Sequence, residues 1–358
     1  MYSNFLKTFL SFSSICLATV LAINFFVDPY GLRKSGGRVN NDRVVKAIQV
    51  NRLQPNLVAM GSSGIARGLD PDHPILLEKG VTYNLGILGA NIYEIEQYFR
   101  HAAAGDDLNT AIVSLDFYAF NGLREVRPGF SEARLGSQTI LPQDFFGLFL
   151  SLDSLRLIFN PEQRGSYFSK KGTYAQHVDP ERRKEVFAIE IEEDFSREED
   201  MYWAYQTSTE TLNSFQNIVE IAEAKEIEVE TFIPPLHVSL FYAAKLTGHW
   251  PDYQQWLRSI VAIEPVWDFS GCNSITAETI RSDMKNFDDP SHYTYKVGDM
   301  IIERMFGRVS AEVPEDFGVY VTSENIDEHL EQIQEQCEAW QQQNPEIVRW
   351  IETLNLEN

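Results

Sequence analysis

Leu57-Val58-Ala59-Met60-Gly61-Ser62-Ser63 is the stretch on which the reading of this chain turns. Four apolar residues in a row, closed by a glycine, predict a short buried strand. The two serines stand where that strand ends. Similar runs recur at 81–84, 111–115, 229–233 and 266–269, with helical spacing of apolar positions over 93–104 and 209–225 between them. Alternation of this kind predicts an α/β fold, with a mostly parallel five-stranded sheet covered by helices. Sites in such folds form at the carboxyl ends of the strands. Ser63, Gly89, Asp116 and the turn Pro234-Pro235-Leu236-His237 all fall just past an expected strand end.

A second motif, Asp289-Pro290-Ser291-His292, lies far along the chain. A serine at a strand end can act as a nucleophile when a histidine takes its proton and an aspartate orients the ring. Ser63, His292 and Asp289 supply that set, with Ser62 as the alternative nucleophile and Asp288 as the alternative orienter. Each motif also has a plain structural reading, since Gly-Ser-Ser is a common turn and an aspartate before Pro-Ser-His can cap a helix. His237 is read either as a pocket residue or as a structural histidine, and Asp116 as a pocket residue or a cap. A cation held by Asp288, Asp289, His292 and His237 is a weaker reading, because no His-Glu-x-x-His signature is present. Neither a metal nor a cofactor is expected, and no phosphate-binding loop appears.

The two motifs and the residues between them resemble the SGNH (GDSL-type) hydrolases. Gly61-Ser62-Ser63 is similar to the first block, with Ser63 at the nucleophile position. Asn84-Leu85-Gly86-Ile87-Leu88-Gly89 resembles the second, in which a glycine N–H lines the oxyanion hole; Gly89 matches best. Asp289 and His292 match the closing Asp-x-x-His block. The third block departs: the family offers Gly-x-Asn-Asp, and here Asp116-Phe117-Tyr118-Ala119-Phe120-Asn121 follows the strand, leaving Asn121 as a weak substitute. The resemblance implies a three-layer sandwich. Within the clan the chain looks most like the membrane-anchored envelope branch that includes alginate O-acetylation proteins and the D-alanine transfer protein of teichoic acid synthesis. That implies an extracytoplasmic O-acyltransferase or esterase acting on an envelope or exported glycan, with a membrane partner that passes acyl groups across. The rival expectation is a non-catalytic glycan-binding or scaffold protein on the same fold.

Residues 8–27 carry no charge, about the length a helix needs to cross a hydrocarbon core. A retained single-pass anchor over 1–30 is favoured over a cleaved signal peptide, because the apolar run continues through Ile23, Phe25 and Phe26 without a small-residue exit. Lys/Arg counts favour a cytoplasmic body, with Lys7 before the span and Arg33, Lys34, Arg38, Arg43 and Lys46 after it. The resemblance implies the opposite side, and that side is the expectation adopted. A net charge of −22 disfavours nucleic acid as a partner. Cys272 and Cys337 are read as two buried thiols in preference to a disulfide. The body is expected over 31–320, with an insertion at about 122–205 that contains a helix over 141–159, a loop over 160–172 and a charged segment over 185–200. An acidic helical tail fills 321–358. Ile326, Leu330, Ile333, Cys337 and Trp340 mark one face of its first helix, and Pro345 opens a second.

Overall fold

The computed structural model describes residues 2–28, 30, 41–152, 166–169, 171–176, 178–196 and 201–356. Its centre is a six-stranded sheet of β1 (Leu57–Gly61), β2 (Thr82–Gly86), β3 (Thr110–Ser114), β6 (Glu228–Ile233), β7 (Val266–Asp268) and β10 (Val319–Val321), in the order β10-β7-β6-β3-β1-β2. Two small hairpins complete the strand set, β4 (Ser166–Phe168) with β5 (Tyr174–Gln176), and β8 (Phe287–Asp289) with β9 (His292–Tyr293). Five strands of the main sheet are parallel, and β10 adds antiparallel to β7 at the edge. The five parallel strands are those expected from the sequence. The sixth is a correction: Val319-Tyr320-Val321 is too short to stand out, and it forms because the chain returns beside β7.

Strand side chains alternate between two cores, as a period of two requires. Val58, Met60, Ala111 and Val113 pack with Phe99, Phe215 and Trp256 from the helices Ile92–Ala103, Thr209–Lys225 and Trp250–Ile263. Leu57, Ala59, Ile112 and Phe232 pack the other way, with Ile65, Val297 and Ile301 from the helices Ser63–Gly68 and Tyr295–Met305. Burial on both faces explains why these strands read as continuous apolar runs.

The insertion is partly as expected. It contributes helices Pro142–Phe149 and Arg183–Asp194, the first shorter than the sequence suggests. Residues 153–159, most of 160–172 and 197–200 lie outside the described residues, as do Arg33, Lys34 and Arg38. The tail packs as a hairpin of Ile326–Gln343 and Pro345–Ile351, with Ile326, Leu330, Ile333, Cys337 and Trp340 turned into the first core. Cys337 forms a disulfide with Cys272. That corrects the preference for two buried thiols over a disulfide; with the cysteines 65 residues apart, spacing gave no ground for choosing the bridge.

The amino-terminal helix, Tyr2–Val27, is the one described helix long and apolar enough to cross a membrane. Its last turns are built into the fold. The Asn24 side chain donates to the carbonyls of Phe149 (2.8 Å) and Ser151 (3.0 Å). Leu21 packs on a small core of Val44, Val45, Ile48, Leu148 and Phe149.

Close backbone approach holds the helix Ser63–Gly68 against β9. A Cβ at Gly68 would overlap the Tyr293 ring and come within 2.8 Å of the Tyr293 carbonyl oxygen. Gly68→Ala is therefore expected to cost about 1–3 kcal/mol of stability by overpacking. A thermal melt of the variant checks it, and an unchanged melting temperature would contradict this packing.

Candidate active site

The sequence Gly61-Ser62-Ser63 makes a strand-to-helix turn. Gly61 has φ of +151°, and a Cβ there would sit 2.7 Å from the Ser114 Cβ, so a glycine is required. Ser62 caps the helix that follows, accepting from Gly64 N at 3.3 Å, and is buried. Ser63 opens the helix and stays partly exposed. Of the two serines, Ser63 is the one that reactants can reach.

Asp289 and His292 come from the β8–β9 hairpin. His292 Nδ1 donates to Asp289 Oδ1 at 2.7 Å, and Asp289 Oδ1 also accepts from Ser291 N at 3.0 Å. Of the two aspartates it is Asp289, not Asp288, that holds the His292 ring. With Nδ1 carrying the proton, Nε2 is left as the basic nitrogen, and it is buried without a hydrogen-bond partner among the described residues. The bond from Ser63 Oγ to Nε2 is accordingly not closed in this structure. Catalytic hydrogen bonds are often long in the free protein and tighten on substrate.

Arg67 was missed by sequence reasoning. Its guanidinium lies 2.9 Å from Asp289 Oδ2 and 3.8 Å from Asp288. Ser63 and Arg67 are four residues apart on one helix, so they share a face, and Arg67 shows that this face looks onto the Asp289–His292 hairpin. The i, i+4 spacing from the serine was the available signal. Burial pushes the Asp289 carboxyl up, but the charges of His292 and Arg67 and the hydrogen bonds outweigh it, holding it below the usual carboxylate range. Burial, and then the Arg67 charge, push the His292 imidazole down against the opposing pull of Asp289. The lowered value keeps His292 neutral, the form a general base requires, to a more acidic pH than usual. Arg67→Gln removes the repulsion, and the acid limb of any His292-dependent activity is expected to move to higher pH. The same variant leaves Asp289 without its buried cation, at a stability cost on the order of 3 kcal/mol. A pH–rate profile beside a melt checks both.

The hairpin is braced on two further sides. Ser291 Oγ donates to Asp194 Oδ2 at 2.8 Å, so the inserted helix Arg183–Asp194 reaches the site. His237 N donates to the Pro290 carbonyl at 2.9 Å. The His237 ring is not a pocket group. Its Nδ1 meets Ser239 Oγ at 2.8 Å, its Nε2 meets the Glu278 carbonyl at 2.7 Å, and burial lowers its pKa to about 4. Both nitrogens are spent on the fold, and the cation set that included His237 does not assemble. Among the described residues no group of three His, Cys, Asp or Glu is arranged to hold a metal ion.

The loop after β2 carries Gly89, whose φ of +62° suits glycine. The helix Asp42–Leu53 clamps this loop: Asp42 Oδ2 accepts from Leu88 N at 2.6 Å, Arg43 donates to the Leu88 carbonyl at 3.1 Å, and Lys46 Nζ donates to the Gly86 carbonyl at 2.5 Å. Burial pushes the Lys46 ammonium down to about 7. Arg124 donates to the Gly89 carbonyl at 3.0 Å, which fixes the far end. The N–H groups of Ser63 and Gly89 make no hydrogen bond among the described residues, and each lies within three residues of the carboxyl end of its strand.

Asn84 is a brace: its amide donates to the carbonyls of Ile65 (2.7 Å) and Leu69 (2.9 Å), tying β2 to the Ser63–Gly68 helix. Asn121 faces the returning insertion, with Oδ1 accepting from Leu123 N and Gln206 N at 3.2 Å each. Neither side chain is placed as an oxyanion donor. Asp116 does not cap the turn Phe117–Phe120. Its carboxylate interacts with the hydroxyl and N–H of Ser62, Oδ2 meets no partner among the described residues, and burial raises its pKa to about 6. It lies in the wall of a narrow apolar cleft lined also by Tyr118, Tyr202, Leu236, Trp250 and Tyr253.

No protein-family model matches the chain, and no curated protein sequence matches it. The site therefore stands on its own geometry: an α/β protein in which the helix that begins at the partly exposed Ser63 packs on the hairpin that pairs Asp289 with His292.

Proposed function

We propose that this chain is a serine acyl-ester enzyme of the SGNH (GDSL-type) kind, a three-layer sandwich held to a membrane by its amino-terminal helix. The observation that carries the reading is the Asp289–His292 pair, locked by Arg67 onto the helix that begins at Ser63. Ser63 Oγ attacks an ester carbonyl while His292 Nε2 takes the proton. The N–H groups of Ser63 and Gly89 meet the oxyanion, each such donor being worth about 2.7–4 kcal/mol in rate. His292 returns the proton to the leaving alcohol. The acyl-enzyme then passes its acyl group, acetyl in the simplest case, to a hydroxyl of an envelope or exported polysaccharide, or to water.

The Cys272–Cys337 disulfide supports an oxidising compartment, and so an extracytoplasmic body, against the direction of the flanking charges. A transferase working there needs a membrane partner to deliver acyl groups. A second reading, a glycan-binding scaffold on the same fold, is favoured by the open Ser63–His292 bond and by Asn121 facing away from the site. The full chain in detergent micelles, given p-nitrophenyl acetate with and without an oligosaccharide acceptor, separates the two. Nitrophenol release that is lost in His292→Ala supports the enzyme, and acetylated sugar marks it as a transferase. A folded protein with no release in either condition supports the scaffold.

A further inference from the structure

The exposed face of the inserted helix Pro142–Phe149 is a second apolar surface, continuous with the membrane anchor. Residues 137–152 contain one charged side chain, Asp144, in a chain with 30 Lys and Arg and 52 Asp and Glu. That one charge is turned inward and neutralised: Arg134 grips both Asp144 oxygens at 2.8 Å. The exposed large apolar side chains of this segment are Ile140, Phe145, Phe146 and Leu152, at 41%, 41%, 56% and 64%, beside the uncharged Gln138, Thr139 and Gln143. Such a patch would be costly to leave in water on so acidic a protein.

Its position says what covers it. The helix packs side by side with the end of the anchor, through the two Asn24 hydrogen bonds and the contact of Phe25 with Phe149, ring centres 6.3 Å apart. Anchor and inserted helix therefore lie at one level, where the anchor leaves the hydrocarbon. An uncharged helical face with paired phenylalanines at that level matches an interfacial helix, which buries its apolar side about 5–10 Å into the headgroup and acyl boundary.

We infer that Pro142–Phe149 lies in the bilayer surface beside the anchor, with Phe145 and Phe146 inserted among the lipids. The body is then fixed at two points and cannot swivel on its anchor. The same contact reaches the site, because Val44, Val45 and Ile48, which pack under both elements, belong to the helix whose Asp42 and Lys46 clamp the Gly86–Gly89 loop. The lipid surface thereby sets the height and tilt at which Ser63 meets its substrate.

This inference rests on reading Tyr2–Val27 as a membrane helix, and the test keeps the two apart. The full chain is reconstituted in phosphatidylcholine vesicles without reductant, which spares the disulfide, and carries one nitroxide label. The free Cys16 reports the anchor. In a Cys16→Ala background, Phe146→Cys and Phe145→Cys report the inserted helix, and Val309→Cys, 45% exposed on the body, reports water. Collision rates with oxygen and with an aqueous nickel chelate are compared. At 145 and 146 we expect oxygen access to exceed chelate access severalfold, as at Cys16, with the reverse at 309. Labels at 145 and 146 that behave like 309 while Cys16 reports lipid would overturn the inference and leave the anchor standing. An aqueous Cys16 would overturn both. Labels at 145 and 146 shielded from both quenchers would also overturn it, in favour of a protein contact.

Discussion

Ser63→Ala is expected to lower turnover of an activated ester by about 10⁴- to 10⁶-fold, the range over which nucleophile removal acts in serine triads. The expectation follows from position. Ser62 is buried, caps the helix and interacts with Asp116, so it cannot take over the attack. His292→Ala is expected to fall almost as far. The double variant should be no worse than the worse single one, since residues acting as one unit are not additive. Steady-state rates on p-nitrophenyl acetate check this. Equal rates for wild type and Ser63→Ala would remove Ser63 from the chemistry. The fold itself should survive the change, because the Ser63 side chain is partly exposed and the helix keeps its Ser62 cap.

Breaking the Cys272–Cys337 disulfide carries the largest expected effect on stability. The bridge spans 65 residues, and closing a loop of that length in the unfolded chain corresponds to about 4 kcal/mol. The closed loop contains Asp289 and His292, so the tail helix is tied to the segment that carries the histidine. Cys272→Ser with Cys337→Ser should lower the unfolding midpoint clearly, and reductant should lower the wild type to the same value while leaving the variant unmoved. An unshifted midpoint in both experiments would mean that hydrophobic packing of Leu330, Ile333 and Trp340 alone holds the tail.

Features governed by local pattern were legible in the sequence. The five parallel strands stand out as short continuous apolar runs, and the helix faces and the amphipathic tail as a period of three to four, each visible in a single segment. The Asp289–His292 pair was legible for a similar reason, as both residues lie in one short loop. Whatever depended on which segments meet was not. Nothing in Val319-Tyr320-Val321 foretells that it joins β7, and cysteine spacing does not encode the Cys272–Cys337 contact. Asn84, Asn121 and His237 had the right chemistry for a pocket, but their hydrogen-bonding groups are engaged by backbone and side-chain partners that only the folded chain brings near. Arg67 is the converse case. Its role depends on a hairpin more than two hundred residues later, yet its spacing from Ser63 placed it on the serine's face of the helix all along.

The proposed chemistry depends on activation of Ser63 by His292, and the bond between them is the one element of the triad left open. The most direct measurement is to treat the full chain with a fluorophosphonate, which reacts with serines that have an aligned base, and to read the adduct by intact mass and peptide mapping. One adduct per chain, on Ser63 and absent in His292→Ala, is the predicted result. A folded protein that stays unlabelled, or labels equally with and without His292, would contradict it.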